Sequence, residues 1–207
     1  MGKMPTNRLV STCNAIYHNL RLARHSINEL NYLLNHPLDS ALFVFAGFPH
    51  FYFGHLIDIH IRNATILLHS LIKGELSITK LINVCEENVD NINFKLPNKE
   101  MLNLIGRAKE LIEEQKAKHW SLLSASRDKF AGHQDKINAG PIKEIGEITF
   151  PLSDMLELLP NLEQAFAYIY YPLTGEKYGQ LPDDSFINKA IHAMYEKKMR
   201  ELEGEQE

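Results

Sequence analysis

Near the amino terminus, apolar residues recur at alternating steps of four and three: Leu9, Cys13, Ile16, Leu20, Ala23, Ile27, Leu30 and Leu34. Such a stripe lies along one side of an α-helix, whereas residues sharing a strand face recur every second position. The spacing predicts a long helix packed nearly antiparallel to a neighbour. Thr6 or Asn7 can cap its start, and His36-Pro37 ends it, because the residue before proline avoids helical angles. No acid precedes Glu29, so Lys3, Arg8, Arg21 and Arg24 make this end locally basic. The plain reading is a solvated face; the sharper one is a wall of a groove for an anionic ligand.

The helical period continues down the chain. Asp39 or Ser40 can cap the apolar segment ALFVFAGF, which Pro49 interrupts. A central helix is expected from about Phe51 to Ile72, with Ile57, Ile61, Ala64, Leu68 and Leu71 inward and Asp58 and Arg62 paired four apart. Lys73-Gly74 closes it, and Ser77 caps a shorter helix carrying Ile78, Leu81, Ile82, Cys85 and Val89. After the loop DNINFKLPN, a long pattern places Met101, Ile105, Ala108 and Ile112 inward. Beyond a break near His119 it continues through Leu122, Ser126, Phe130 and His133, until Gly140-Pro141 ends it. Ile145 to Phe150 read as an extended connector, and Ser153 as the cap of a helix burying Met155, Leu158, Leu159, Leu162, Phe166 and Ile169. Tyr168, Tyr170, Tyr171 and Tyr178 read as a packed rim at its end. A last helix from about Ser185 is expected to bury Ile187, Ala190, Ile191 and Met194. No repeat and no strand-period run interrupts the series. The expected fold is therefore all-α, an up-and-down bundle of about five to six helices. It forms one domain over residues 1–203, with 204–207 a frayed acidic tail.

Several function classes lack their residues. The net charge of -4 gives no overall basic field for long nucleic acid, though it leaves room for a local site. Cys13 and Cys85 fall on apolar stripes and read as buried free thiols of a reducing, cytoplasmic compartment. No charged-then-apolar leader opens the chain, and its most apolar stretch, Ala41 to Gly54, is shorter than the roughly 20 residues a bilayer span needs. No membrane segment is expected. There is no G-x-S-x-G elbow, no Gly-rich phosphate loop ending in Lys-Ser/Thr, and no G-x-G-x-x-G. His55 and Asp58 have helical ligand spacing, but His55 and His60 are five apart, and His18 and His25 share a face with no nearby carboxylate. A metal centre using His55, Asp58 and histidines of other helices is the weakest of three readings. The expected cofactor and metal content is none.

The remaining concentration of chemistry is RDKFAGHQDK, Arg127 to Lys136. On a regular helix Arg127 and His133 are separated by about 9 Å of rise and roughly 120° of rotation, so they do not share a face. The reach of the long guanidinium side chain, a distortion at Gly132, or a second subunit across that face would bring them together. Asp128 and Asp135, seven apart, share a different face. The plain alternative is a solvated helix end, with Asp128 pairing Arg127 or Lys129 and His133 half-buried against Phe130.

RDKFAGHQD resembles the HEPN signature, an arginine followed by a polar residue and, after four to six intervening positions, a histidine. The small-residue-His-x-Asp ending is similar to the AbiU-type abortive-infection branch. The motif likeness covers about ten residues, and the looser likeness in length, helix number and motif position covers most of the chain. The resemblance implies a HEPN bundle that pairs into a homodimer with its motifs facing a shared cleft. It implies a metal-independent endoribonuclease of a toxin–antitoxin or phage-defence system, with an antitoxin or nucleotidyltransferase as possible partner. Carried onto this chain, Arg127 and His133 match the motif's arginine and histidine, Asp128 its polar position and Asp135 the trailing acid. Some members are non-catalytic modules, and binding of RNA, a nucleotide or a partner transferase is the alternative. The chemistry is coherent. Histidine suits proton transfer near neutrality, and arginine stays charged beside a developing phosphorane. Attack by the 2′-hydroxyl makes RNA the substrate.

Overall fold

A computed structural model describes residues 6–35, 51–134, 149–179 and 186–204. The first stripe is the inner side of α1 (Thr6–Asn35), where every position from Leu9 to Leu30 is buried. Leu34, the last of the series, is exposed; Leu33 turns inward and packs with Tyr32 and Phe53 in a small second cluster. Against α1 lies α2 (Phe51–Lys73), burying Ala64, Leu68, Leu71 and Ile72. Gly74 closes α2 by donating its N–H to Ser70 O at 2.8 Å, and a Cβ there would lie 2.6 Å from that same oxygen. The turn this tightness allows leads directly into α3 (Ile78–Glu87), whose predicted cap is present: Ser77 Oγ accepts from Lys80 N at 3.2 Å.

The fourth helix corrects the sequence reading. α4 (Asn98–Gln134) runs unbroken past His119, without a break there. Its inward positions beyond Ile112 are Gln115, His119, Leu123, Ser126 and Phe130, all buried, while Leu122 is exposed. Three of those five are polar, which hid the continuing period. Helix α5 (Leu152–Thr174) follows and packs along α4, burying Met155, Leu158, Leu159, Leu162, Phe166 and Ile169. Its cap is not Ser153: Pro151 occupies the N-cap position with no side-chain bond, and Ser153 Oγ donates to Asp154 Oδ1 at 3.3 Å instead. Gly175 ends α5 in the left-handed region at φ 79°, donating to Tyr171 O at 2.8 Å. Of the expected tyrosine rim, Tyr170 and Tyr178 pack against Tyr17 and Phe166, Tyr168 lies under Arg107, and Tyr171 is exposed.

α6 (Phe186–Gly204) touches α1, and Met194, expected inside, is exposed. Among the described residues there are six helices and no strand, and one large apolar cluster holds α1 to α5 together. No helix of the described residues is long and apolar enough to cross a membrane. The caps expected at Asp39 or Ser40, the Pro49 interruption, the Gly140-Pro141 end and the acidic tail lie outside the described residues.

Candidate functional site on the seam of α2 and α4

Arg127 follows a buried position, Ser126, so its stem leaves the core at the edge where α4 meets α2. Three residues on, Phe130 is buried, and Arg62 of α2 covers its ring at 5.7 Å. Arg62 is held by the expected partner, Asp58, at 3.0 Å. The Arg127 side chain keeps 37% of its surface exposed, and its guanidinium is gripped from two sides. Nη1 lies 3.0 Å from Asp128 Oδ1, and Nη2 lies 3.3 Å from His69 Nε2. Nε is buried and has no hydrogen-bond partner.

Arginine has donors and no acceptor, so His69 Nε2 accepts and the ring proton sits on Nδ1. Burial holds the His69 pKa below its ordinary value of 6.5; the Arg127 and Lys73 charges lower it further, and Asp128 opposes them. His69 is therefore neutral near pH 7, the only state in which it can accept from a guanidinium. Its ring stacks on Trp120 at 4.8 Å and 27°. Two acceptors thus fix the guanidinium plane. With four N–H on its terminal nitrogens, the guanidinium retains donors that a phosphate oxygen can accept.

Of the residues singled out from sequence, Arg127 and Asp128 are brought together, with Asp128 paired to Arg127 as in the plain reading. α4 remains helical through Gly132, so a local break does not close the distance from Arg127 to His133; the side chain of His133 and all of Asp135 lie outside what is described. The histidine beside Arg127 is His69, which sequence reasoning missed. It comes from a helix 58 positions earlier. The one signal was its register: Arg62, His69 and Lys73, at steps of seven and four, run up one side of α2.

A second histidine cluster is also new. His25 Nδ1 lies 3.6 Å from the buried Glu29 Oε1, against the expectation of no nearby carboxylate, and the His60 ring stands edge-on at 6.0 Å. Burial lowers the His60 pKa, with Glu29 opposing and His25 adding. Among the described residues no group of three or more His, Cys, Asp or Glu side chains could hold a metal ion. Asp58 is committed to Arg62, and His55 is exposed. No protein-family model matches the chain, and neither does any curated protein or solved structure.

Proposed function

We propose that this chain is a HEPN-like, metal-independent endoribonuclease of a toxin–antitoxin or phage-defence system, working as a homodimer in the cytoplasm. The observation that carries the reading is the Arg127 guanidinium, half-exposed and aimed by Asp128 and a neutral His69. A cation held by two acceptors needs little reorganisation when a phosphate arrives, which is where electrostatic catalysis gains most. In the reaction, the 2′-hydroxyl loses its proton and its oxygen bonds to phosphorus, while the bond from phosphorus to the 5′-oxygen breaks and that oxygen is protonated. His133 transfers protons, Arg127 binds the charge accumulating on the free oxygens, and Asp128 and Asp135 support them. His69 positions Arg127. The products are a 2′,3′-cyclic phosphate and a 5′-hydroxyl.

RNA incubated with the purified protein in excess EDTA tests this. Wild type is expected to cleave. Arg127→Ala should lose about 10²–10³-fold in rate, the usual cost of removing a charge-stabilising donor, and His133→Ala about 10²–10⁴-fold for a lost proton-transfer group. Undiminished cleavage by both variants, or none by wild type, ends the reading; stoichiometric nucleotide or transferase binding without cleavage would leave the non-catalytic alternative. Light scattering at tens of micromolar protein should find a dimer.

A further inference from the structure

The seam does not stop at His69. Beyond Trp120 it opens into a cavity of about 370 Å³ between the end of α2, the start of α3 and the middle of α4. Lys73, Lys80 and Lys116 stand around it, with Ile72 and Trp120 as its apolar wall, and Ser77 and Thr79 bring the amino-terminal end of α3 to its edge. No carboxylate is among its lining residues. In a chain of net charge -4 that is a local reversal of sign. Lys73 has no carboxylate partner among the described residues and sits over the Trp120 ring at 5.5 Å. Lys80 and Lys116 touch Glu75 at 2.5 Å and Glu113 at 2.7 Å, but those carboxylates are 93% and 68% exposed. Such solvated pairs contribute little and exchange readily for a phosphate.

The helix start adds to the field. Its first internal bond is Leu81 N to Ser77 O, and Ser77 Oγ takes Lys80 N, so the amides of Ile78 and Thr79 precede the ladder and keep the positive end of the α3 dipole at the rim. Thr79 Oγ1 is a buried oxygen without a hydrogen-bond partner. The cavity is also joined to the arginine. Lys116, Trp120 and Arg127 follow one another along one side of α4, and the seven residues from Trp120 to Arg127 span about 10.5 Å at helical rise, a distance that two linked nucleotides cover.

We infer that this cavity is a nucleotide subsite, which holds a nucleoside monophosphate unit of the RNA next to the one whose phosphate lies at Arg127. This rests on the ribonuclease reading for the polymer, while the shared ligand chemistry is a phosphate on the lysines and α3 with a base against Ile72 and Trp120.

Trp120 is the chain's one tryptophan and lines the cavity with His69 stacked on its ring, so its fluorescence reports on the cavity and its junction with the arginine, and the lysine variants separate the two. Wild-type protein is titrated with AMP, with inorganic phosphate and with a 2′-O-methyl hexaribonucleotide that cannot be cleaved. The fluorescence is expected to change saturably with AMP and with the hexamer, less tightly as salt rises. Lys80→Glu combined with Lys116→Glu, the first exposed and the second half-buried, is expected to weaken AMP and hexamer binding about tenfold or more, the loss of a charge-assisted hydrogen bond or two. The same double variant should raise KM in the EDTA cleavage assay. Unchanged fluorescence, undiminished binding by the double variant, or phosphate binding as tightly as AMP would overturn the subsite. AMP binding without hexamer binding would overturn its place on an RNA track. Saturable AMP and hexamer binding with no cleavage would sustain the subsite and sink the ribonuclease reading; cleavage with an inert cavity would do the reverse.

Discussion

At Arg127 the useful property is not the charge but its fixation. A lone surface arginine samples many rotamers, and ordering it at a phosphate costs side-chain entropy. Here Asp128 and His69 have already restricted it. Removing His69 should therefore reduce cleavage less than removing Arg127, and His69→Gln, which keeps an acceptor near Nε2, should recover part of what His69→Ala loses. Equal rates for His69→Ala and wild type would show that the guanidinium needs no such support. The cysteines stand at the opposite extreme. Burial pushes the Cys13 thiol up to about 12, and burial with Cys13 nearby does the same for Cys85. Neither forms the thiolate that reacts, so a thiol reagent at pH 8 should label almost nothing until denaturant is added, then two thiols per chain. Both cysteines and Asp128 could be read from sequence because the cysteines sit on apolar stripes spaced three and four apart and Asp128 pairs with its chain neighbour Arg127. His69 could not, because its role depends on which helix packs against which.

Among the elements, α4 shows where period-based reading loses its way. Leu9 to Leu30 were legible because every position of that stripe is apolar, although Ser26 and Glu29 beside it on α1 are buried too. In α4, Gln115, His119 and Ser126 occupy inward positions, so the apolar signal jumped to Leu122, one position off the true stripe. The corrected register is open to measurement. Leu123→Ala should destabilise the fold by about 2–5 kcal/mol, as burial of a whole leucine in a packed core implies, while Leu122→Ala should change it by less than about 0.5 kcal/mol. The reverse order in chemical denaturation would restore the break near His119. Ser126 is fully buried with an unpartnered hydroxyl. Removing an unsatisfied buried donor is neutral or favourable, so Ser126→Ala should match or exceed wild type in stability. Caps were legible where a side chain makes the bond, as at Ser77, and misplaced at α5, where Pro151 begins the helix and no side chain marks it.

For the molecule as a whole, the all-helical class and most inward stripes of α1, α2, α3 and α5 followed from sequence, because a bundle core is assembled from repeated local pattern. The seam of α2 and α4, which gathers Arg62, His69, Lys73, Trp120 and Arg127, is tertiary and left only its register behind. Two histidines tie stability to pH. His60 and His69 both have folded pKa values lowered from 6.5, so the unfolded chain binds more protons as pH falls below that value. Their stabilising contribution is complete above about pH 6.5, is lost as pH falls from there toward their folded values, and levels off below those. The melting temperature should therefore be lower at pH 5.5 than at 7.5, and His60→Leu, which takes up no proton, should shrink the drop; an unchanged drop would place its origin elsewhere. Cleavage should decline over the same window, because a protonated His69 cannot accept from Arg127. The claim that the seam serves 2′-hydroxyl attack has its most direct test in the products. An RNA substrate digested in EDTA should yield 2′,3′-cyclic phosphate and 5′-hydroxyl ends, and a single 2′-deoxy residue at the cleaved position should abolish cutting there. Products with 5′-phosphate ends, or equal cleavage at the deoxy position, would contradict it.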